Sequence, residues 1–359
     1  MSGENDIFDY LVVGAGTGGC VVASRLAEDP GVRVGLIEAG PDHTHPFIHI
    51  PATVGAAIGT PKLNWRFMTS PQPHLNNRRI PVPRGHVVGG SGSINGMVYF
   101  RGQPRDFDEW AAAGNPGWSY REVLPYFLRS ENNESYPGSP YHGHGGPMNV
   151  KFVKKPNPMS GAFLGAMESL GYKPNGDFNG PDPEGFGARQ GTIRDGRRVS
   201  TATAYLESAR KRPNFTLITG TRVARVVIEN GRATGVDVVP DGEPGSGAAG
   251  ARRLTARREV VVCGGAILSP QVLMLSGVGP AEDFEEEESE CERNFIKHCG
   301  ADRRARHSTL FFLQVKPKKT RHARTRASAR DNPQKLWITQ WTTALELAQS
   351  PVEWGLQSN

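Results

Sequence analysis

Residues 9–29, DYLVVGAGTGGCVVASRLAED, decide how the chain is read. A short apolar strand, Tyr10 to Val13, runs into Gly14-Ala15-Gly16-Thr17-Gly18-Gly19 and then into a helical pattern. Each glycine answers a physical demand. Gly14 allows a tight turn, Gly16 lets the backbone approach a pyrophosphate, and Gly19 lets the helix pack closely on the strand. The helix N-terminus adds unpaired N–H groups and a positive dipole end, both suited to an anion. A second strand, Val32 to Ile37, ends at Glu38, whose carboxylate can accept from both hydroxyls of an adenosine ribose. Together these residues predict a dinucleotide site. Glu38 disfavours a 2′-phosphate, and with it NADP, and leaves NAD and FAD both open.

A second glycine-rich stretch lies at Arg84 to Gly102, RGHVVGGSGSINGMVYFRG. Gly85, Gly89, Gly90, Ser91, Gly92 and Ser93 carry so little bulk that several main-chain N–H groups can converge on a large flat ligand. The same composition also suits a plain flexible loop.

The rest of the chain narrows the class. Its 359 residues suggest two domains, and 44 Gly with 28 Pro suit a loop-rich globular enzyme better than a helical bundle. The net charge of +6 forms no single basic face, which argues against a nucleic-acid partner. Cys20, Cys263, Cys291 and Cys299 follow no disulfide spacing, so a reducing, cytoplasmic or other intracellular setting is expected. The start, MSGENDIFDY, does not read as a secretory leader, and no run of about eighteen apolar residues predicts a membrane span.

Three segments together resemble the glucose-methanol-choline (GMC) oxidoreductase family, whose members oxidise alcohols with a bound flavin. The family's first signature reads as Gly85, Val88, Gly89, Gly90, Ser91, Gly92, Ile94, Asn95, Tyr99, Gly102 and Asp108, with a departure at His86, where Lys or Arg is usual. The second reads as Gly265, Ala266, Ser269, Pro270, Val272, Leu273, Ser276, Gly277, Val278 and Gly279, after an apolar strand Glu259 to Cys263. A helix is expected to start near Ser269-Pro270.

Between the signatures, Arg198 to Val239 reads as a helix and three strands, Thr216 to Thr219, Arg222 to Glu229 and Ala233 to Val239, with Asn230-Gly231 as a hairpin turn. The resemblance implies an α/β fold: an FAD/NAD(P)-binding Rossmann-like domain of three-layer architecture plus a partial α+β substrate domain. Its implied divisions are 1–150 and 201–282 for the FAD-binding parts and 151–200 for a substrate-side segment.

The resemblance implies FAD as cofactor, held by Gly14, Gly16, Thr17, Gly18, Gly19, Glu38 and Ala39 at one end. Val87, Gly90, Ser91, Asn95, Gly96, Met97 and Val98 would lie at the flavin, and the Val223 backbone would lie over the adenine, although Val223 also reads as plain core. Some relatives attach the flavin through a histidine at the position of Ile94. Isoleucine cannot form that bond, so noncovalent FAD is expected. The implied partner is a small-molecule alcohol.

His142 and His144 form a His-x-His with no evident carboxylate or thiol companions, and no metal is expected there. Past residue 282 the resemblance stops. An acidic block and then a basic one fill 283–359, which reads as a divergent tail, disordered or misjoined. Alcohol oxidation needs a base for the hydroxyl proton, yet His298, His307 and His322 lack the family's late catalytic pattern, so no catalytic residue is assigned. Two further readings stay open, a non-catalytic FAD-binding or interaction protein and an NAD-dependent dehydrogenase.

Overall fold

The computed structural model describes residues 6–152, 157–242 and 251–279, with a two-residue strand at Ser308–Thr309. The expected tail at 283–359 and its three histidines therefore lie outside the described residues, apart from that strand's backbone. Two compact units are present. One comprises Met1–Gly40, Phe67–Val82 and the chain from Arg212 onward, and the other Pro41–Arg66 and Pro83–Lys211. The expected boundaries at 150 and 200 do not coincide with these units.

The first unit is built on a six-stranded mixed sheet. Its strands are β1 (Ile7–Val13), β2 (Val34–Ile37), β3 (Phe215–Ile218), β4 (Thr221–Glu229), β5 (Arg232–Pro240) and β6 (Arg252–Val262), in the order β3-β2-β1-β6-β5-β4. The first four in that order run parallel, and β5 and β4 continue antiparallel. Parallel strands covered on both faces read as unbroken apolar runs, which is why Leu11-Val12-Val13 and Val260-Val261-Val262 lie adjacent and buried. Phe8, Leu11, Ile37, Val236, Leu254 and Val260 form the centre of this core.

The β4–β5 hairpin turns where the sequence predicts. Asn230 and Gly231 both have positive φ, 53° and 74°, as a two-residue turn matching strand twist requires. Where the sheet becomes antiparallel, Asp237 on β5 accepts from Arg225 on β4 at 2.8 Å and from Arg253 on β6 at 2.5 Å. This places opposite charges across three strands.

Two helices complete the frame of this unit. Helix α1 (Thr17–Leu26) begins three residues before the apolar pattern at Cys20, because Gly16 already serves as its N-cap. The second, α2 (Gly265–Met274), corrects the expected start at Ser269-Pro270. Gly264 takes the N-cap position, so Pro270 falls inside the helix instead of in its first turn.

The second unit is smaller in sheet content and richer in turns. Its strands Glu131–Asn133, Met148–Phe152 and Gln190–Gly191 form one sheet, fed by the helices Pro104–Ala112 and Tyr120–Ser130. The latter starts on Ser119, whose N–H donates to the Glu122 carboxylate at 3.1 Å, half of a capping box. Arg210 clamps Asp42 through two bonds of 2.7 and 2.6 Å, tying distant parts of the unit together. Among the described residues no helix is long and apolar enough to cross a membrane.

Candidate functional site

In the first unit the glycine turn is shaped by three backbone segments. Gly14 has φ +94°, donates to Ile37 O at 2.8 Å, and lies so near Cys263 that an added Cβ would stand 2.7 Å from its carbonyl oxygen. Gly19 is tighter still, since its Cβ would fall 1.9 Å from Gly14 O. Gly16 and Gly18 differ from both. The nearest atom to a Cβ at Gly16 is 3.8 Å away, and none lies within 4 Å at Gly18. Two glycines thus allow the turn to close, and two leave the start of α1 bare, with Thr17 and Gly18 exposed.

Glu38 is buried beside this turn and is a clasp as well as a candidate ribose ligand. Oε2 accepts from Ala15 N–H and Oε1 from Gly40 N–H, each at 2.9 Å. Ala39 follows it, half-buried. Val223 lies on the edge strand β4, and its side chain packs against the core. Cys263, at the end of β6, is a largely buried thiol whose pKa burial pushes up to about 11, so it stays protonated and inert at neutral pH.

In the second unit Arg84–Gly102 is anchored at both ends. His86 N–H donates to Leu63 O and Val88 N–H to Pro41 O, while Tyr99 N–H donates to Gln190 O and Thr192 N–H to Met97 O. Gly89 and Gly90 have positive φ and lead into a tight turn, Gly90–Ser93. A Cβ on Gly85 would meet Gly90 backbone at 2.2 Å, so much of the glycine content serves the loop's own closure. Val87 and Ile94 are buried with Ile48, Ala57 and Leu63, which turns their side chains into an apolar cluster. Ser91, Asn95, Gly96 and Val98 are exposed. Met97 is buried at φ +58°, a conformation unusual for a non-glycine residue, and its N–H donates to Asn95 Oδ1 at 3.0 Å. Such backbone outliers gather at ligand clamps.

Sequence reasoning missed two features of this unit. One is Arg198, whose side chain is buried beneath the cradle and donates to Asn95 Oδ1 at 2.7 Å. The other overturns the reading of His142 as a histidine without carboxylates. Glu131 Oε1 lies 3.0 Å from Nδ1 and Asp177 Oδ2 lies 3.0 Å from Nε2, and the ring is buried. Glu131, fully buried, also accepts from Arg101 at 2.5 Å, Gly143 N–H at 2.9 Å and Asn133 at 2.8 Å. His144 is exposed. Among the described residues no group of three or more His, Cys, Asp or Glu could hold a metal ion.

Burial opposes a charge on His142, but the hydrogen bonds to Glu131 and Asp177 outweigh it and raise its pKa above the ordinary 6.5. A raised folded-state pKa gives stability that is complete below the unfolded value and is lost as pH rises through the folded one. Urea unfolding of the native chain and His142→Gln should therefore differ most near pH 5.5, and the gap should narrow by pH 8.5. A gap that widens with pH would reverse the assigned charge.

With this geometry in view, known proteins supply the context. Residues 8–300 match the family model for GMC oxidoreductase, running past residue 282. The oxygen-dependent choline dehydrogenase of Sinorhizobium fredii is 44% identical over 273 residues, 76% of this chain and 48% of that protein. Among solved structures, pyridoxine 4-oxidase from Mesorbium loti superposes with a TM-score of 0.72 at 36% identity, covering 77% of this chain and 53% of that one. An FAD-dependent oxidoreductase from Chaetomium thermophilum gives 0.70 at 30% identity, covering 78% and 49%. The chain spans about half the length of the curated relatives it matches.

Proposed function

Because the chain belongs to the GMC oxidoreductase family, we propose that it is an FAD-dependent oxidoreductase acting on the CH–OH group of a small alcohol donor. The observation that carries this reading is the glycine turn. Two of its glycines have no room for a Cβ, two present open faces at a helix N-terminus, and a buried carboxylate closes it. That donor set suits a pyrophosphate next to a ribose.

In this proposal Gly14 and Gly19 shape the turn, while Gly16, Thr17 and Gly18 hold the pyrophosphate. Glu38 and Ala39 take the ribose, and Val223 the adenine. Val87, Gly90, Ser91, Asn95, Gly96, Met97 and Val98 hold the ring and its side chain. When bound, the flavin supplies a two-electron acceptor for the hydride leaving the alcohol carbon. The chain's own part is orientation. Main-chain N–H groups and the Asn95 carboxamide are fixed before reaction, so they need not reorganise as charge develops. Ile94, buried and without a nucleophilic atom, supports noncovalent binding. No residue is assigned as the base. The thiols of Cys20 and Cys263 suit a reducing, intracellular setting.

Purified chain reconstituted with FAD should stay yellow through gel filtration, release its flavin on acid precipitation, and bleach anaerobically with at least one alcohol of a panel that includes choline and pyridoxine. Retained colour with no bleaching by any alcohol would favour a non-catalytic flavin protein. Retention of NADH in place of FAD would overturn the reading.

A further inference from the structure

Beneath the cradle lies a charge without a counter-charge. Arg198 is 2% exposed, its Nε donates to Ile48 O at 2.8 Å, and its Nη1 donates to Asn95 Oδ1 at 2.7 Å and Gly92 O at 3.3 Å. Every one of these acceptors is neutral. Among the described residues Nη2 has no hydrogen-bond partner and the guanidinium makes no ion pair. The unit's other clamping arginines differ in this respect, since Arg101 pairs with Glu131 and Arg210 with Asp42. Burial lowers the Arg198 pKa to about 10, which still leaves it protonated at neutral pH.

A buried ion without a partner stays costly even after the surroundings relax. Here that cost falls at the turn whose exposed neighbours are Asn95 and Gly96. The hydrogen bonds also settle the Asn95 carboxamide. Its oxygen accepts from both Arg198 and Met97 N–H, so the oxygen faces inward and its NH2 is left as a donor on the exposed side.

We propose that Arg198 is a positioning residue for the cradle, one that fixes the Asn95 NH2 as an outward donor and lends the ring site a lasting positive charge. Both effects favour a ligand ring that becomes negatively charged on reduction over its neutral oxidised form. The inference rests on the flavin reading above, and the two are separable by experiment, because retention of FAD tests that reading and the potential of the bound flavin tests this one.

The experiment is a midpoint-potential measurement by equilibration with redox dyes, on FAD bound to the native chain, Arg198→Lys and Arg198→Gln, with circular dichroism as the check on folding. Native chain should hold FAD at a higher potential than free FAD. Arg198→Lys should keep most of that increase. Arg198→Gln should lose at least tenfold of the preference for the reduced form, about 30 mV for a two-electron couple. A merely structural role would weaken FAD binding in both variants and leave the potential unmoved, which overturns the proposal. So would a native potential at or below that of free FAD, a measurement that stands even if Arg198→Gln does not fold. Native chain that retains no flavin removes the flavin reading and this inference with it.

Discussion

Gly19→Val is expected to abolish retention of FAD and to destabilise the chain by about 3 kcal/mol or more, at the upper end of what forced overpacking costs. The first added carbon alone would stand 1.9 Å from Gly14 O and 3.3 Å from Cys263 Cβ. Neither neighbour can yield cheaply. Gly14 is tied to Ile37 O through its N–H at 2.8 Å and already lies against the Cys263 carbonyl. Relief would have to come from moving α1 off β1, which displaces the bare helix start proposed to hold the pyrophosphate. Gly18→Ala is the matched control, since a Cβ there meets nothing within 4 Å and alanine is the better helix former by up to about 1 kcal/mol. Urea unfolding without ligand should place Gly18→Ala at or above the native chain and Gly19→Val far below it. Equal midpoints for the two variants would refute the steric account.

Glu131→Ala is expected to cost about 3–5 kcal/mol, the penalty for leaving one member of a buried ion pair uncompensated. Its carboxylate answers four donors, from Arg101, His142, Asn133 and the Gly143 backbone, and none of these groups has bulk water to turn to. Burial alone would raise the Glu131 pKa, yet these bonds hold it below the ordinary carboxylate value, so the charged form is the one the fold is built around. The double variant Arg101→Met with Glu131→Leu should be less unstable than Glu131→Ala, because Arg101 is then no longer left as an uncompensated buried charge. If the double variant instead loses the sum of the two single losses, the pair is not coupled and the network account fails.

Much of the first unit was legible because its signals are local. Strand, glycine turn and helix stand in adjacent residues at 10–29, and Asn230-Gly231 announces its hairpin in two letters. What the sequence hid was distance and burial. His142 has its carboxylates at Glu131 and Asp177, and nothing in the letters YHGHGG indicates that these three residues meet. Glu38 was readable as a candidate ribose ligand, whereas its clasp on Ala15 and Gly40 depends on how the turn folds back and was not. The start of α2 was misread because Ser-Pro is a common helix opening, and Gly264 provided an earlier one. Arg198 was invisible as a site residue, since an arginine in RRVST gives no sign that it lacks an anion.

The pairing of β1 has a consequence for how the chain is made. One neighbour, β2, is close in sequence, but the other is β6, where Ile7 stands opposite Thr255 and Val13 opposite Val262. The Cys263 carbonyl that braces Gly14 follows directly. A ribosome must therefore release nearly all of the first 265 residues before the amino-terminal glycine turn can take its final form. Contacts so remote in sequence slow folding and keep an unsatisfied strand edge in play meanwhile. The segment translated first is thus among the last to be finished.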